Sequence, residues 1–151
     1  LSSAGVATLG LKTPDTTQLI TAWSAATAGD NGFILFGTET VFTTRGSISY
    51  NRAGGLTVYA TLSDARRKKN IRDSVSASKM VDSIQVRAFD WRETDNHLEH
   101  WLIAQELYEV APYAVAVGTK ERDWAVDTSA LVPLLIKEVQ DLRKRVGILE
   151  H

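Results

Sequence analysis

The sequence predicts an α+β chain in two parts: short β-strands first, then a mixed helix and strand domain that ends on a long helix. Three observations carry this. Eight of the ten Gly and twelve of the fifteen Thr lie in residues 1–62. Only six of the 17 basic and 18 acidic residues lie there: Lys12, Asp15, Asp30, Glu39, Arg45 and Arg52. Residues 132–149 carry a seven-residue apolar repeat. Such a compositional change marks a domain boundary. We place it between Leu62 and Ser63, giving a β-rich part at 1–62 and a second domain at 63–148. Residues 149–151 read as the remnant of an affinity tag.

The first part reads as four strands. Phe33 to Phe36 is an apolar run after the turn signal Asp30-Asn31-Gly32. Thr38 to Thr43 is β-branched and aromatic, Ser47 to Asn51 alternates, and Leu56 to Leu62 alternates again. Gly37, Gly46 and Gly54-Gly55 are read as the separators. So little large apolar content buries a poor core alone, so partner chains are expected to complete these strands.

In the second part, Ser76 to Ile84 is a short helix, with Val75, Met80, Val81 and Ile84 toward a core. Gln85 to Trp91 alternates as a strand and Leu98 to Ile103 is extended. Ala104 to Val110 is a helix stopped by Pro112. Tyr113 to Val117 and Asp123 to Val126 form a hairpin across residues 118–122. Asp127 or Thr128 then caps the long helix, with Pro133 in an early turn where proline is tolerated. Val132, Val139 and Val146 interleave with Leu135, Leu142 and Leu149 at spacings of three and four, as in a coiled coil. The helix either lies on its own domain or joins other copies of the chain.

Composition excludes several functions. The net charge of -1 over 151 residues argues against nucleic acid as the main partner. With no Cys, there is no disulfide, thiolate zinc site or cysteine nucleophile. No apolar stretch approaches the ~20 residues of a membrane span.

Chemistry concentrates at the boundary, in Leu62-Ser63-Asp64-Ala65-Arg66-Arg67-Lys68-Lys69-Asn70-Ile71. One reading is structural: Ser63-Asp64 caps a helix and the basic run is a solvated face. The other is a Ser–Lys pair. Ser needs an adjacent base to act as a nucleophile. A Lys serves when desolvation or neighbouring cations disfavour its charged form. On an ideal helix Lys68 does not stand over Ser63; its long stem, a non-helical turn or a second copy must close the gap.

These residues resemble the Ser-Asp-x-Arg-Leu-Lys-x-Asn-Ile signature of the C-terminal intramolecular chaperone domain of bacteriophage endosialidases, tail spikes, tail fibres and neck appendages. The likeness continues in order through Phe89-Asp90-Trp91, Ile103-Ala104-Gln105-Glu106-Leu107 and Ala111-Pro112. It extends to Trp124-Ala125-Val126-Asp127, Leu131 to Leu135 and Gln140-Asp141-Leu142, covering residues 56–148. Arg67 replaces a usual Leu, and Leu102 stands where Gly is common.

The resemblance implies a domain that forms a homotrimer, templates the β-structured fibre region upstream of it, and then cuts itself away between Leu62 and Ser63. Ser63 would be the nucleophile and Lys68 its base, with Asp64, Arg66 and Asn70 as supporting residues. The resemblance thus implies a self-cleaving serine peptidase acting once per chain, with no cofactor. Residues 1–62 would stay in the virion's tail fibre or spike, and 63–148 would be released in the host cytoplasm. The competing reading is an uncleaved trimerisation cap of a fibre or adhesin.

Other residues carry less. His97 and His100 are three apart, but the segment reads as extended and no metal site is expected. Gln105 and Glu106 are read as structural, and Trp91, Trp101 and Trp124 as core or subunit-interface anchors. The run Arg66 to Lys69 lacks the Gly-rich loop of a phosphate site.

Overall fold

The computed structural model describes residues 20–150. The expected fibre end therefore begins outside the described residues, and His151 of the expected tag lies outside them too. The chain divides into two compact units, Leu1–Ile71 and Arg72–His151. The mixed α+β class is as the sequence predicts, with small antiparallel sheets and a long closing helix.

The first unit holds a three-stranded antiparallel sheet, β1 (Asn31–Thr38), β2 (Thr43–Asn51) and β3 (Leu56–Thr61), in that order. Three strands replace the four expected. Thr38 to Thr43 is not a strand: residues 39–42 form the β1–β2 turn, with Glu39 at φ 74°. β-Branched residues favour strands, but here the chain must reverse. Gly37 and Gly46 are not separators either. Both lie inside strands, at points of close approach. A Cβ on Gly46 would sit 2.5 Å from the Ala60 carbonyl oxygen of β3, and one on Gly37 would meet the Phe42 ring. Gly54-Gly55 does form the β2–β3 turn, with Gly55 at φ 64°. Arg52 anchors the segment before β1. Its guanidinium donates to the carbonyls of Ala26 and Gly29 and to Asn31 Oδ1 at 2.8–2.9 Å, and it lies over the Tyr50 ring. Among the described residues of this unit only Gly46 is buried. Leu35 and Tyr59 remain 60% and 79% exposed, so among the described residues the sheet has no core of its own.

The second unit begins with α1 (Ser78–Ser83), followed by the hairpin β4 (Arg87–Asp90) and β5 (His97–Trp101). The helix α2 (Ala104–Val110) ends ahead of a 3₁₀ turn at Pro112–Ala114. A two-residue pairing of β6 (Val115–Ala116) with β7 (Ala125–Val126) makes the expected hairpin, much shorter than predicted. The Asp127 side chain accepts the Ser129 N–H and caps a 3₁₀ turn, Thr128–Leu131, that runs into α3 (Val132–Leu149). The core is small: Leu107, Ala111, Ala114 and Leu131, with Met80, Ile84, Leu102 and Val126 packed on it. Val75, expected to face that core, is instead exposed. No helix among the described residues is long and apolar enough to cross a membrane.

The helix α3 meets its own unit through Leu134, which packs on the core, and through polar residues. Ser78 Oγ donates to Glu138 Oε2 at 2.7 Å, and Lys137 donates to Asp141 at 2.7 Å with both side chains largely covered. The heptad residues Val132, Leu135, Val139, Leu142 and Val146 point the other way and stay about half exposed, at 45–54%. The helix is therefore not laid on its own domain by its apolar stripe.

Candidate functional site

The site lies where β3 ends. The Leu62 amide donates to the Arg45 carbonyl at 3.1 Å, adding one more rung to the β2–β3 ladder. Ser63 follows outside the ladder. Asp64 is extended, with φ -68° and ψ 129°, and its Oδ1 accepts the Arg66 N–H at 2.8 Å. That cap starts a single 3₁₀ turn, Ala65–Arg67, closed by Arg67 N–H to Asp64 O and Lys68 N–H to Ala65 O. Lys68 then returns to extended backbone. Asn70 adopts φ 55°, a left-handed conformation that asparagine tolerates better than most residues.

This turn closes the gap that an ideal helix leaves open. A 3₁₀ turn rises faster and rotates further per residue than an α-helix, and it lasts here for only three residues. The chain comes out of it with Lys68 beside Ser63. Lys68 Nζ donates to Ser63 Oγ at 2.6 Å. A neutral amine at that same distance would accept the hydroxyl proton, which is the geometry of a general base. Both side chains are exposed in the single chain.

The neighbouring charges are arranged around this pair. Arg66 Nε and Nη2 grip the Asp64 carboxylate, with the shortest contact at 2.5 Å. The Arg66 side-chain hydrogen bond holds the Asp64 carboxyl below the usual carboxylate range, helped by the Arg66 backbone N–H and by the charges of Arg67 and Lys68. Among the described residues, Lys68 has no carboxylate within ion-pair distance. Of the supporting residues expected from sequence, Asp64 organises the turn, Arg66 is committed to Asp64, and Asn70 turns the chain just beyond. The sequence offered no signal for Arg45, whose carbonyl holds Leu62.

Residues 63–116 match the family model Peptidase_S74, described as chaperone of endosialidase. That stretch is similar to an endosialidase-type chaperone domain. The match to the chaperone model starts at the serine of the Ser–Lys pair and stops within β6. The closing likeness at Trp124 to Asp127, Leu131 to Leu135 and Gln140 to Leu142 lies beyond the matched residues. No curated protein and no solved structure matches the chain significantly.

Among the described residues, other features of the second unit do not converge on a second site. Both His97 ring nitrogens lie against carboxylates, Nδ1 at 2.7 Å from Asp90 and Nε2 at 2.9 Å from Glu99. Among the described residues no three His, Asp or Glu side chains form a metal site. Glu106 pairs with Arg87 through two hydrogen bonds of 2.9 Å, joining α2 to β4. Trp91 and Trp101 are 49% and 42% exposed, so they are not core residues of the single chain. They line a groove of about 780 Å³ with Phe89, Gln105 and Trp124.

Proposed function

We propose that this chaperone domain assembles as a homotrimer, templates the β-structured fibre region ahead of it, and then cuts the chain between Leu62 and Ser63. The observation that carries this is the 2.6 Å contact between Lys68 Nζ and Ser63 Oγ directly after the last rung of the β3 ladder. The peptide to be cut is thus fixed on one side by the sheet and flanked on the other by a nucleophile with a base in contact.

Ser63 Oγ attacks the carbonyl carbon of Leu62 while Lys68, as the neutral amine, takes the hydroxyl proton. The C–N bond to Ser63 breaks, and Lys68 returns the proton to the leaving Ser63 nitrogen. The product is an ester between Leu62 and Ser63 Oγ. Water hydrolyses it to a Leu62 carboxylate and a free Ser63 hydroxyl. No cofactor enters. Burial disfavours a charged amine. Contacts from neighbouring copies would supply that burial and so tie cutting to assembly. The outward apolar stripe of α3 supports association with other copies, because a soluble single chain rarely leaves such a stripe bare.

Release removes the template, so the fibre end would then be held by an unfolding barrier instead of by equilibrium stability. Residues 1–62 would remain in a virion's tail fibre or spike, and 63–148 would be left in the host cytoplasm. The test is intact mass under denaturing conditions, for the chain and its Ser63→Ala variant. Two products, residues 1–62 and 63–151, from the unaltered chain alone support the reading. A single full-length species from both, in a preparation that is trimeric, overturns the cleavage and leaves an uncleaved cap of a fibre or adhesin.

A further inference from the structure

We infer that Arg66 is a positioning residue for the Ser63–Lys68 pair, acting by occupying the Asp64 carboxylate that would otherwise capture Lys68. The inference rests on the self-cleavage reading above and concerns the same site.

Asp64 precedes Lys68 by four residues and lies on the same single turn. It is close enough to Lys68 for the lysine charge to act on its carboxyl. A carboxylate hydrogen-bonded to Lys68 Nζ would do two kinds of harm. It would favour the ammonium, which cannot take a proton. It would also draw Nζ away from Ser63 Oγ. Arg66 prevents both by a geometric advantage. Its guanidinium presents two N–H donors in a fixed fork, matching the two carboxylate oxygens, whereas an ammonium is a single point charge. The observed contacts follow this: Nε reaches both Asp64 oxygens at 3.0–3.1 Å and Nη2 reaches Oδ2 at 2.5 Å. Lys68 is left with Ser63 as its partner. The Asp64 side chain still caps the turn through the Arg66 N–H, so one carboxylate shapes the turn while its charge is kept off the base.

A double-mutant cycle tests this in the full-length chain carrying Ser63→Ala, which keeps the chain in one piece. The titration midpoint of the Lys68 side chain is followed by NMR of ¹³C-labelled lysine, assigned with Lys68→Arg. Asp64→Asn is introduced with Arg66 intact and again with Arg66→Ala; asparagine retains the capping ability. The inference expects Asp64→Asn to shift the midpoint little when Arg66 is present. With Arg66→Ala it should lower the midpoint by about half a unit, the size an exposed ion pair supports. Equal shifts in both backgrounds mean simple additive charge effects, and they overturn the role of Arg66. In chains with Ser63 intact, Arg66→Ala should slow cleavage about threefold below the midpoint, and adding Asp64→Asn should restore it. If the unaltered chain does not cleave, the self-cleavage reading fails by itself, and the titration cycle still decides whether Arg66 shields Lys68.

Discussion

The Leu62 amide is bonded to the Arg45 carbonyl, so the residue ahead of Ser63 is held by the strand that contains Gly46. This puts the proposed scissile peptide under the control of the β2–β3 register. Gly46 pairs with Thr61, one residue before Leu62.

Gly46→Ala should therefore loosen the site without touching it. A Cβ there would lie 2.5 Å from the Ala60 carbonyl oxygen, and that oxygen is backbone, so the strands must part. We expect a loss of about 1–3 kcal/mol in the stability of the sheet. Faster hydrogen exchange at the Leu62 amide, together with slower cleavage, would show it. Unchanged exchange at Leu62 would mean that Gly46 is replaceable.

Lys68→Met should keep the turn, because the capping and 3₁₀ hydrogen bonds use Asp64 and backbone groups. It removes only the amine on Ser63. Cleavage measured by intact mass should fall by about 10²–10⁴-fold, the usual contribution of a positioned base. A variant that cuts at the normal rate would exclude Lys68 as the base.

In the second unit, apolar residues on α3 and on α2 have opposite expected phenotypes. Leu142→Asp places a charge on the outward stripe. It should convert an oligomer to a monomer in sedimentation experiments and shift the intrinsic stability of the unit by less than about 0.5 kcal/mol. Leu107→Ala, in the core, should cost about 2–5 kcal/mol by melting and act on stability first. Equal unfolding by both variants would mean that the stripe serves the fold of the single chain.

His97 predicts a pH dependence on the alkaline side. Its hydrogen bond to Glu99, and then that to Asp90, raise its pKa above 6.5. A raised folded value means that the charged form is favoured by folding. The contribution is complete below pH 6.5 and is lost as pH rises through the folded value. Carboxylates only accept, so both contacts need both ring nitrogens protonated. The β4–β5 hairpin should thus melt lower at pH 8 than at pH 6, and His97→Gln should remove that difference. A His97→Gln chain with the same slope would place the titration elsewhere.

Much of the second unit was legible because local signals agree there. Ala104 to Val110 reads as a helix from its pattern and its proline stop, and α2 has those bounds. The first unit was harder for a physical reason. Glycine marks a turn and also marks a close backbone approach, and Gly37 and Gly46 serve the second purpose. Glu39 enters a left-handed conformation inside a run of strand-forming residues, which composition does not announce. At the site, residue types pointed to Ser63 and Lys68. Their contact depends on a helical turn that stops after three residues, and spacing rules written for long helices do not describe it. The grip of Arg66 on Asp64 is likewise a matter of which cation reaches a carboxylate first.

The half-bare stripe of α3 also makes what this chain presents to its surroundings a matter of mass action. When chains are few, Val132, Leu135, Val139, Leu142 and Val146 meet water and compete for any apolar surface at hand. As synthesis raises their number, the proposed self-association would cover the stripe and stabilise the folded form by the logarithm of concentration over dissociation constant. A domain that associates in this way would register how many copies surround it, with no ligand needed to report the count.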